Sequence, residues 1–448
     1  MKRTTDLVNG DIRKNMLTVL YPLLVSTVFS ILYTLANGII VGQTIGSHAL
    51  AIVGGSASYL SNAVFNFTGG IMSGAMVLVA QAVGANDLKS LNRTVKAALA
   101  VVGLAAAAAT LLYQFAARGL LVLMNVPEEL LDASVRFIQQ YAWGFVPYSL
   151  AILIVSLQRG MGQTVQPAGE MIVLDLVYIC TDFLFVKVLD LGIAGVSVSF
   201  LTAYGLFCLY LLYQLQREMG VLSSRIPLDR KKITAILRLG VPAGLTSMFY
   251  PVANSFISAA INRLSPATIS AYSIDAKIEM IYWNCISAFC TAFTTITAAN
   301  FGAGRPRRVK QAVKTGLILA FEITIPICAL VWLTRGWLYS LFTSDAEVST
   351  IGVQIVAFMM PCLLTYPLLE VYSSAAKAVG KALVPTNITL IGICATRILW
   401  IISLPDGYSA IQVLVCYPLS WVVTGLAMFL YYRHLEKTMP QLKIEQSA

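Results

Sequence analysis

The sequence predicts an all-α membrane protein with twelve transmembrane helices, arranged as two pseudo-symmetric six-helix bundles around a central cavity. Three observations lead there. No Asp, Glu, Lys or Arg occurs from Asn15 to Asn86, and uncharged stretches recur to the C-terminus; a helix needs about 20 mostly apolar residues to cross a hydrocarbon core of about 30 Å. Apolar residues make up 58% of the 448 and charged ones only 12%, too little polar surface for a water-soluble globule of this length. Short motifs of the first half return in the second, Val83-Gly84-Ala85 as Phe301-Gly302-Ala303 among them.

Breaking the chain at charge clusters and turn residues gives spans at about 16–40, 50–82, 97–117, 137–158, 170–188, 193–215, 233–262, 269–299, 312–334, 351–376, 386–404 and 410–432. The first two share the long uncharged stretch and part at a turn near Gly42 to His48. An even count puts both termini on one side. With that side cytoplasmic, the N-terminal tail holds 4 Lys and Arg, successive inner loops hold 3, 1, 6, 5 and 2, and the C-terminal tail holds 3. The outer side holds only Arg118, Arg136, Lys187, Arg263 and Arg335, while Lys277 and Arg397 fall within spans. This asymmetry places both termini in the cytoplasm and the protein in the cell (inner) membrane. The formal charge of +10 is then a matter of topology, and a nucleic-acid partner loses its support.

No loop exceeds about 20 residues and the tails are short, so any chemistry lies inside the bundle. The organisation expected is an N-lobe over 1–215, a cytoplasmic linker over 216–232 and a C-lobe over 233–448. The basic start followed by an apolar run reads as an uncleaved first helix, because the run is long and a second span follows at once. All eight cysteines fall within spans without metal or redox spacing, and His48 and His434 are isolated, so neither disulfides nor a metal site nor a cofactor is expected.

The repeat has one register. Val95-Lys96-Ala97 returns as Val313-Lys314-Thr315, and Arg159, Gly162 and Pro167 return as Lys377, Gly380 and Pro385, each 218 residues later. Pro22 and Pro242 stand 220 apart, and Ala36-Asn37 matches Ala253-Asn254 at 217. Six spans per half keep the halves in the same orientation, related by an axis along the membrane normal with a cavity near the midplane. Duplication for bundle stability alone is the plainer reading; alternating-access transport is the one the build favours.

Leu20-Tyr21-Pro22-Leu23, Ala36-Asn37-Gly38-Ile39-Ile40-Val41-Gly42, Gly84-Ala85-Asn86-Asp87, Val241-Pro242-Ala243-Gly244-Leu245 and Asn300-Phe301-Gly302-Ala303-Gly304 together resemble the multidrug and toxic compound extrusion (MATE) transporters. The similarity runs end to end. Lys277-Ile278-Glu279, Arg397-Ile398-Leu399-Trp400 and Tyr417-Pro418-Leu419-Ser420-Trp421 are similar to a bacterial branch distinct from the best-known sodium-coupled members. The resemblance implies export of organic, often cationic, compounds in exchange for H⁺ or Na⁺.

An antiporter needs a group that is charged in one state and neutralised in the other, and a carboxylate out of water suits that role. Spans contain Asp175 and Asp182, Asp275 and Glu279, Glu322, and Glu370. The segment Asp182-Phe183-Leu184-Phe185-Val186 is similar to the family's fifth-helix pattern, whose Asp takes part in cation coupling; Asp175 lies seven residues earlier on the same face. Two departures leave the family's N-lobe cation site incomplete: Asn37 stands where a first-helix Asp is common, and Tyr178 where an Asn often precedes the fifth-helix Asp. Asn37 can neither release a proton nor supply negative charge. The alternative for Asp182 is a structural acid held within the lobe.

The eighth span offers Asp275 and Glu279 one turn apart, beside Tyr282, Trp283 and Asn284, a set able to hold an organic cation. Lys277 is rotated by about 200° from Asp275 and must point elsewhere. Were this stretch near the outer surface, its charges would instead be solvated or paired. Arg397 needs a partner, which Glu279 or Glu370 could supply as a structural ion pair. Tyr250 stands where sodium-coupled relatives tend to carry a Glu, which favours proton coupling. Tyr33, Phe65 and Tyr366 are candidate cavity aromatics, against a default of core or lipid contact. Glu322 is expected to face a helix partner. Gly69, Gly70 and Gly74 read as close helix packing.

The function expected is a secondary active exporter, not an enzyme, of hydrophobic, cationic small molecules against H⁺ or Na⁺, acting as a monomer; no phosphate-binding loop for ATP is present. A lipid-linked oligosaccharide flippase of related build is the alternative, for which a more cationic cavity or extra spans would be expected. A prenyl transferase would show paired Asp-rich motifs, and the six-plus-six repeat disfavours a passive channel or receptor.

Overall fold

The computed structural model describes residues 6–45, 52–124, 126–221 and 227–447. Among them every regular element is a helix and none is a strand, as required where backbone groups must be satisfied inside each crossing segment. Of the turn expected from Gly42 to His48, residues 42–45 still belong to the first helix, Ile12–Ile45, and 46–48 lie outside the described residues.

The first half contains α1 (Ile12–Ile45), α2 (Ser56–Gly84), α3 (Leu88–Leu123), α4 (Glu128–Ala142), α5 (Phe145–Gly160), α6 (Val165–Asp182) with a π-helical turn over Phe183–Val188, and α7 (Gly192–Met219). The second contains α8 (Arg230–Ile261), α9 (Pro266–Gly302), α10 (Pro306–Phe342), α11 (Ala346–Cys362), α12 (Tyr366–Ala378), α13 (Leu383–Leu390), a π-turn over Ile391–Ala395, α14 (Thr396–Ile402), α15 (Ala410–Leu414) and α16 (Cys416–Ser447). Ten of these helical stretches are long and apolar enough to cross a membrane, and the α4–α5 pair, bent by 46°, makes an eleventh if it is one broken span. The expected span left over is α6, whose 18 residues carry Glu170, Asp175 and Asp182. Two of these acids, Asp175 and Asp182, belong to the site described below.

The repeat is visible in the backbone. Asp11 and Asp229, 218 apart, each open the first helix of a half: the Asp11 carboxylate accepts from Lys14 N at 2.7 Å, and that of Asp229 from Lys231 N at 2.9 Å. Asn86 and Gly304 both take positive φ, 56° and 70°, in the turn leading to the third predicted span of each half. Around them Asp87 N donates to Ala82 O at 3.0 Å and Arg305 N to Asn300 O at 3.0 Å. Gly162 and Gly380 do the same at φ 82° and 86°, with Gln163 N on Gln158 O and Lys381 N on Ala376 O, both at 3.0 Å. A left-handed residue closing a helix end is the usual C-cap; two such pairs and the matched Asp caps, all in one register, are a duplication of structure as well as of sequence.

The helices gather into two compact units, one built on Tyr21–Gly244 and the other on Leu7–Leu20 with Leu245–Ala448. The start of α8 thus belongs with the first unit. The reason is glycine on glycine: a Cβ on Gly70 would lie 2.1 Å from Gly244 N, and one on Gly240 would lie 2.5 Å from Ile71 Cα. Gly74 meets Gly240 in the same way, at 2.8 Å, whereas Gly69 has nothing within 4 Å; two of the three glycines expected at a close crossing are there. The start of α1 belongs with the second unit through polar ties. Asn300 Nδ2 donates to Leu7 O at 3.0 Å, Arg308 Nη2 to Gly10 O at 2.9 Å, and Arg13 forks onto Glu322 at 3.0 and 2.9 Å. Glu322 therefore has the helix partner expected of it.

Candidate functional site

In the first unit α1 and α6 lie in register. Ser30 and Asn37, seven residues apart on α1, reach Asp175 and Asp182, seven apart on α6. Ser30 Oγ donates to Asp175 Oδ2 at 2.8 Å, and the Asn37 amide donates to Asp182 Oδ2. Both contacts span 145 positions, which is what two parallel helices with matching seven-residue faces produce. Asp182 is 0% exposed, and its Oδ1 meets no donor in hydrogen-bond geometry, the neighbouring Ser199 hydroxyl lying 2.8 Å from Thr181 Oγ1. A carboxylate can accept several hydrogen bonds when ionised, and a buried acceptor left unmet is costly. The arrangement is therefore open to a proton, or to a small cation, on that oxygen. Asn37, which lacks the charge of the family's Asp, serves as donor.

Beside these acids the first unit holds a cluster of rings. Tyr33 stacks on Tyr178 at 5.0 Å between centroids, Phe200 on Tyr141 at 4.1 Å, and Tyr204 packs between Phe200 at 4.9 Å and Tyr178 at 5.7 Å. Phe65 joins through Tyr148 at 4.1 Å. The departure at Tyr178 thus replaces an amide with a ring that covers Tyr33. Tyr141, Tyr148, Phe200 and Tyr204 were not singled out in the sequence; the four-residue spacing of Phe200 and Tyr204 on one face of α7 was a signal, whereas Tyr141 and Tyr148 lie on either side of the bend between α4 and α5.

In the second unit Asp275 is 2% exposed with Oδ1 unpartnered, so the solvated alternative for it does not hold. Glu279 Oε2 accepts from Trp283 Nε1 at 3.1 Å, one turn along α9, while Oε1 is buried without a partner. Trp283 stands edge-on to Tyr366 at 4.9 Å and to Tyr282 at 5.2 Å. Tyr282 itself is buried, its hydroxyl 3.5 Å from Leu363 O. Glu370 accepts from Tyr366 Oη at 2.9 Å and from Ser374 Oγ at 3.2 Å.

The expected structural ion pair is not a contact pair, although Glu279 lies within electrostatic reach of Arg397. Arg397 is 0% exposed, but among the described residues it has no carboxylate within 4 Å. Its Nη1 donates to Asn254 Oδ1 at 2.6 Å and its Nε to Ser420 Oγ at 3.2 Å, and the guanidinium lies 4.5 Å from the Tyr417 ring and 5.2 Å from that of Tyr250. Nη2 has no partner. Two tyrosine faces and two neutral acceptors take over the carboxylate's part, because a delocalised guanidinium tolerates rings where an ammonium would need water. Lys277 is exposed and forms no ion pair among the described residues. Asn254 is the residue missed here; its match to Asn37 in the repeat was the signal.

A duplicated helical protein with apolar crossing helices and buried acids in each half has the build of a membrane transporter. The chain belongs to the MatE family, whose model matches it twice, over residues 22–184 and 242–401; MATE proteins are multi-pass membrane transporters, not enzymes. The chain is 23% identical over 446 residues to the probable multidrug resistance protein YoeA of Bacillus subtilis, covering 95% of this chain and 94% of that one. It is 25% identical over 297 residues to the FAD transporter of Shewanella oneidensis, covering 62% and 64%. The fold is that of a VcmN MATE transporter variant from Vibrio cholerae (TM-score 0.89, 18% identity, 95% and 97% covered). It is equally that of a MOP superfamily transporter from Pyrococcus furiosus described as having a binding pocket of reverse polarity (TM-score 0.88, 19% identity, 97% and 98% covered).

Proposed function

We propose that this protein is a secondary active exporter that moves hydrophobic, cationic small molecules out of the cell in exchange for inward H⁺, by alternating access, as a monomer in the cell membrane with both termini cytoplasmic. The observation that carries the reading is Asp182, fully buried, held by Asn37 through one oxygen and unsatisfied at the other. A proton on Oδ1 neutralises the carboxylate and makes it a donor, so the protonated and ionised forms favour different surroundings and can bias a two-state bundle. Na⁺ is the other candidate ion, but a neutral Asn37 gives it one charge fewer to bind. Asp275 and Glu279, beside Trp283 and Tyr366, are assigned to the cationic cargo.

The test is transport by purified protein in inside-out vesicles with an acidic or Na⁺-loaded lumen. Uptake of a fluorescent cation should follow the pH gradient and ignore Na⁺; uptake indifferent to both gradients refutes the antiporter.

A second reading rests on Arg397. A fully buried guanidinium with no carboxylate on it and a free Nη2 suits an anionic cargo group, and a relative carrying the name FAD transporter gives that cargo class a precedent. Substituting an anionic dye for the cation in the same vesicles separates the two.

A further inference from the structure

The first unit carries a groove of about 510 Å³ between α6 and α7 that takes no part in the acid pair described above. Its α6 wall is Gly169, Glu170, Val173, Leu174 and Val177, and its α7 wall is Ala203, Leu206, Phe207 and Tyr210. Each set follows the three- and four-residue spacing of one helical face. Asp175 and Asp182 are not among these residues; Asp175 sits about 200° round the helix from Val173. The volume is that of a small-molecule site. Val173 and Leu206 are 57% and 58% exposed, so the groove opens on the outer face of the helix pair.

One charged group lies in this apolar wall. Glu170 is 8% exposed; its Oε1 accepts from Gln166 Nε2 at 3.0 Å, while its Oε2 is buried with no partner. Gln158 and Gln214, which do not line the groove, stand close enough to turn their amides toward Glu170. No Lys or Arg lines the groove. A buried carboxylate oxygen left unmet at one end of an apolar trough is complementary to a single positive charge on an apolar body, and to neither an anion nor a plain hydrocarbon.

We propose that this groove is a binding site for an amphiphilic organic cation taken from the bilayer, its apolar part lying along α6 and α7 and its charged centre against Glu170. The proposal deepens the exporter reading and rests on it for the cargo class. With Glu170 one turn and a half into α6 and Gln214 near the end of α7, the charged end sits at the depth of the cytoplasmic headgroups in the topology read from Lys and Arg. Cargo is then collected laterally from the inner leaflet.

The test is equilibrium binding of radiolabelled tetraphenylphosphonium to protein in nanodiscs of phosphatidylcholine and phosphatidylglycerol, with empty discs subtracted. Glu170→Gln should weaken binding at least tenfold while leaving uncharged triphenylphosphine oxide unaffected. Leu206→Trp, which fills the exposed wall without touching the carboxylate, should weaken both and covers the case in which Glu170→Gln fails to fold. Unchanged tetraphenylphosphonium binding in either folded variant overturns the proposal, as does its displacement by phosphatidylethanolamine added to the discs, which would make a lipid amine the occupant. Glu170-dependent binding without gradient-driven flux would sink the exporter and spare the groove. Intact flux with wild-type binding and export by Glu170→Gln would sink the groove alone.

Discussion

Asp182→Asn should abolish accumulation of cargo without abolishing its passage. The replacement keeps the side chain's shape and an oxygen for the Asn37 amide, so the site stays packed; what disappears is the group that gains and loses a proton. One proton moving down a gradient of one pH unit releases about 1.4 kcal/mol, enough for a tenfold concentration ratio. The first unit has two acids for the task. Each has one oxygen tied, Asp175 to Ser30 and Asp182 to Asn37, but only Asp182 has its other oxygen buried without a partner, so the cycling proton is assigned to Asp182 alone. In inside-out vesicles with the lumen one unit more acidic and the membrane potential clamped at zero, the wild type should approach about tenfold accumulation per exchanged proton. Asp182→Asn should stop at equality and Asp175→Asn should keep the wild-type ratio. An Asp182→Asn protein that still reaches tenfold, or a collapse in Asp175→Asn with Asp182→Asn intact, refutes the assignment.

Asn37→Leu removes the donor to Asp182 and should lower the thermal midpoint, since a hydrogen bond to a charged group is worth about 1.5–3 kcal/mol; in the Asp182→Asn background the same change should cost at least about 1 kcal/mol less, measured by dye-monitored unfolding. Gly240→Ala sets a Cβ 2.5 Å from Ile71 Cα, a backbone atom that cannot step aside, and should cost about 1–3 kcal/mol. Gly205→Ala, with nothing within 4 Å, is its neutral control, and folded yield by size-exclusion chromatography reads the difference. The Arg13–Glu322 pair has side chains 55% and 43% exposed, so Glu322→Gln should change stability by less than about 1 kcal/mol; a larger drop in midpoint would mean the tie to α1 matters more than its exposure implies. Arg397→Met should leave flux of a cationic dye in place and remove any flux of an anionic one, and equal loss of both would mark Arg397 as structural.

Hydropathy and the 218-residue register made the helices, the duplication and the acids legible in the sequence, because each is a local property of composition or spacing. Asp175 and Asp182 share a face by arithmetic alone. Partnership was not legible in the same way. Arg397 invited a carboxylate because isolated buried charge is expensive, yet it found Asn254, Ser420 and two rings, and nothing in the spacing along one helix says which face of another it will meet. Glu170 went unremarked for a related reason. On its own helix it is one acid near a span end, where solvation is the usual outcome; only the apposition of α7 buries it. The breaks at Trp143 and over Ile391–Ala395 fall within expected spans, since hydropathy averages over a bend that the backbone does not.

The two halves share a backbone but not a charge. In the first, Asn37 offers its amide hydrogens to a carboxylate, Asp182. In the second, its counterpart Asn254 offers its carbonyl oxygen to a guanidinium, Arg397, at 2.6 Å. A neutral amide can do both, because it carries a donor and an acceptor on the same plane and needs only to flip. At the place of Asp182 the second half has Trp400, whose Nε1 turns away to Gln412 O at 2.7 Å, and the charge stands nearly one turn earlier with opposite sign. Duplication thus kept the neutral half of the site and inverted the ionic half. Asp182 can be switched off by one proton, whereas a guanidinium keeps its charge at every physiological pH. In the proposed exchange the first half changes state through Asp182, while the second holds a fixed guanidinium charge against which Asp275 and Glu279 must be balanced. If one lobe supplies the coupling and the other only the electrostatic background, coupling can persist without the first-helix carboxylate that Asn37 replaces.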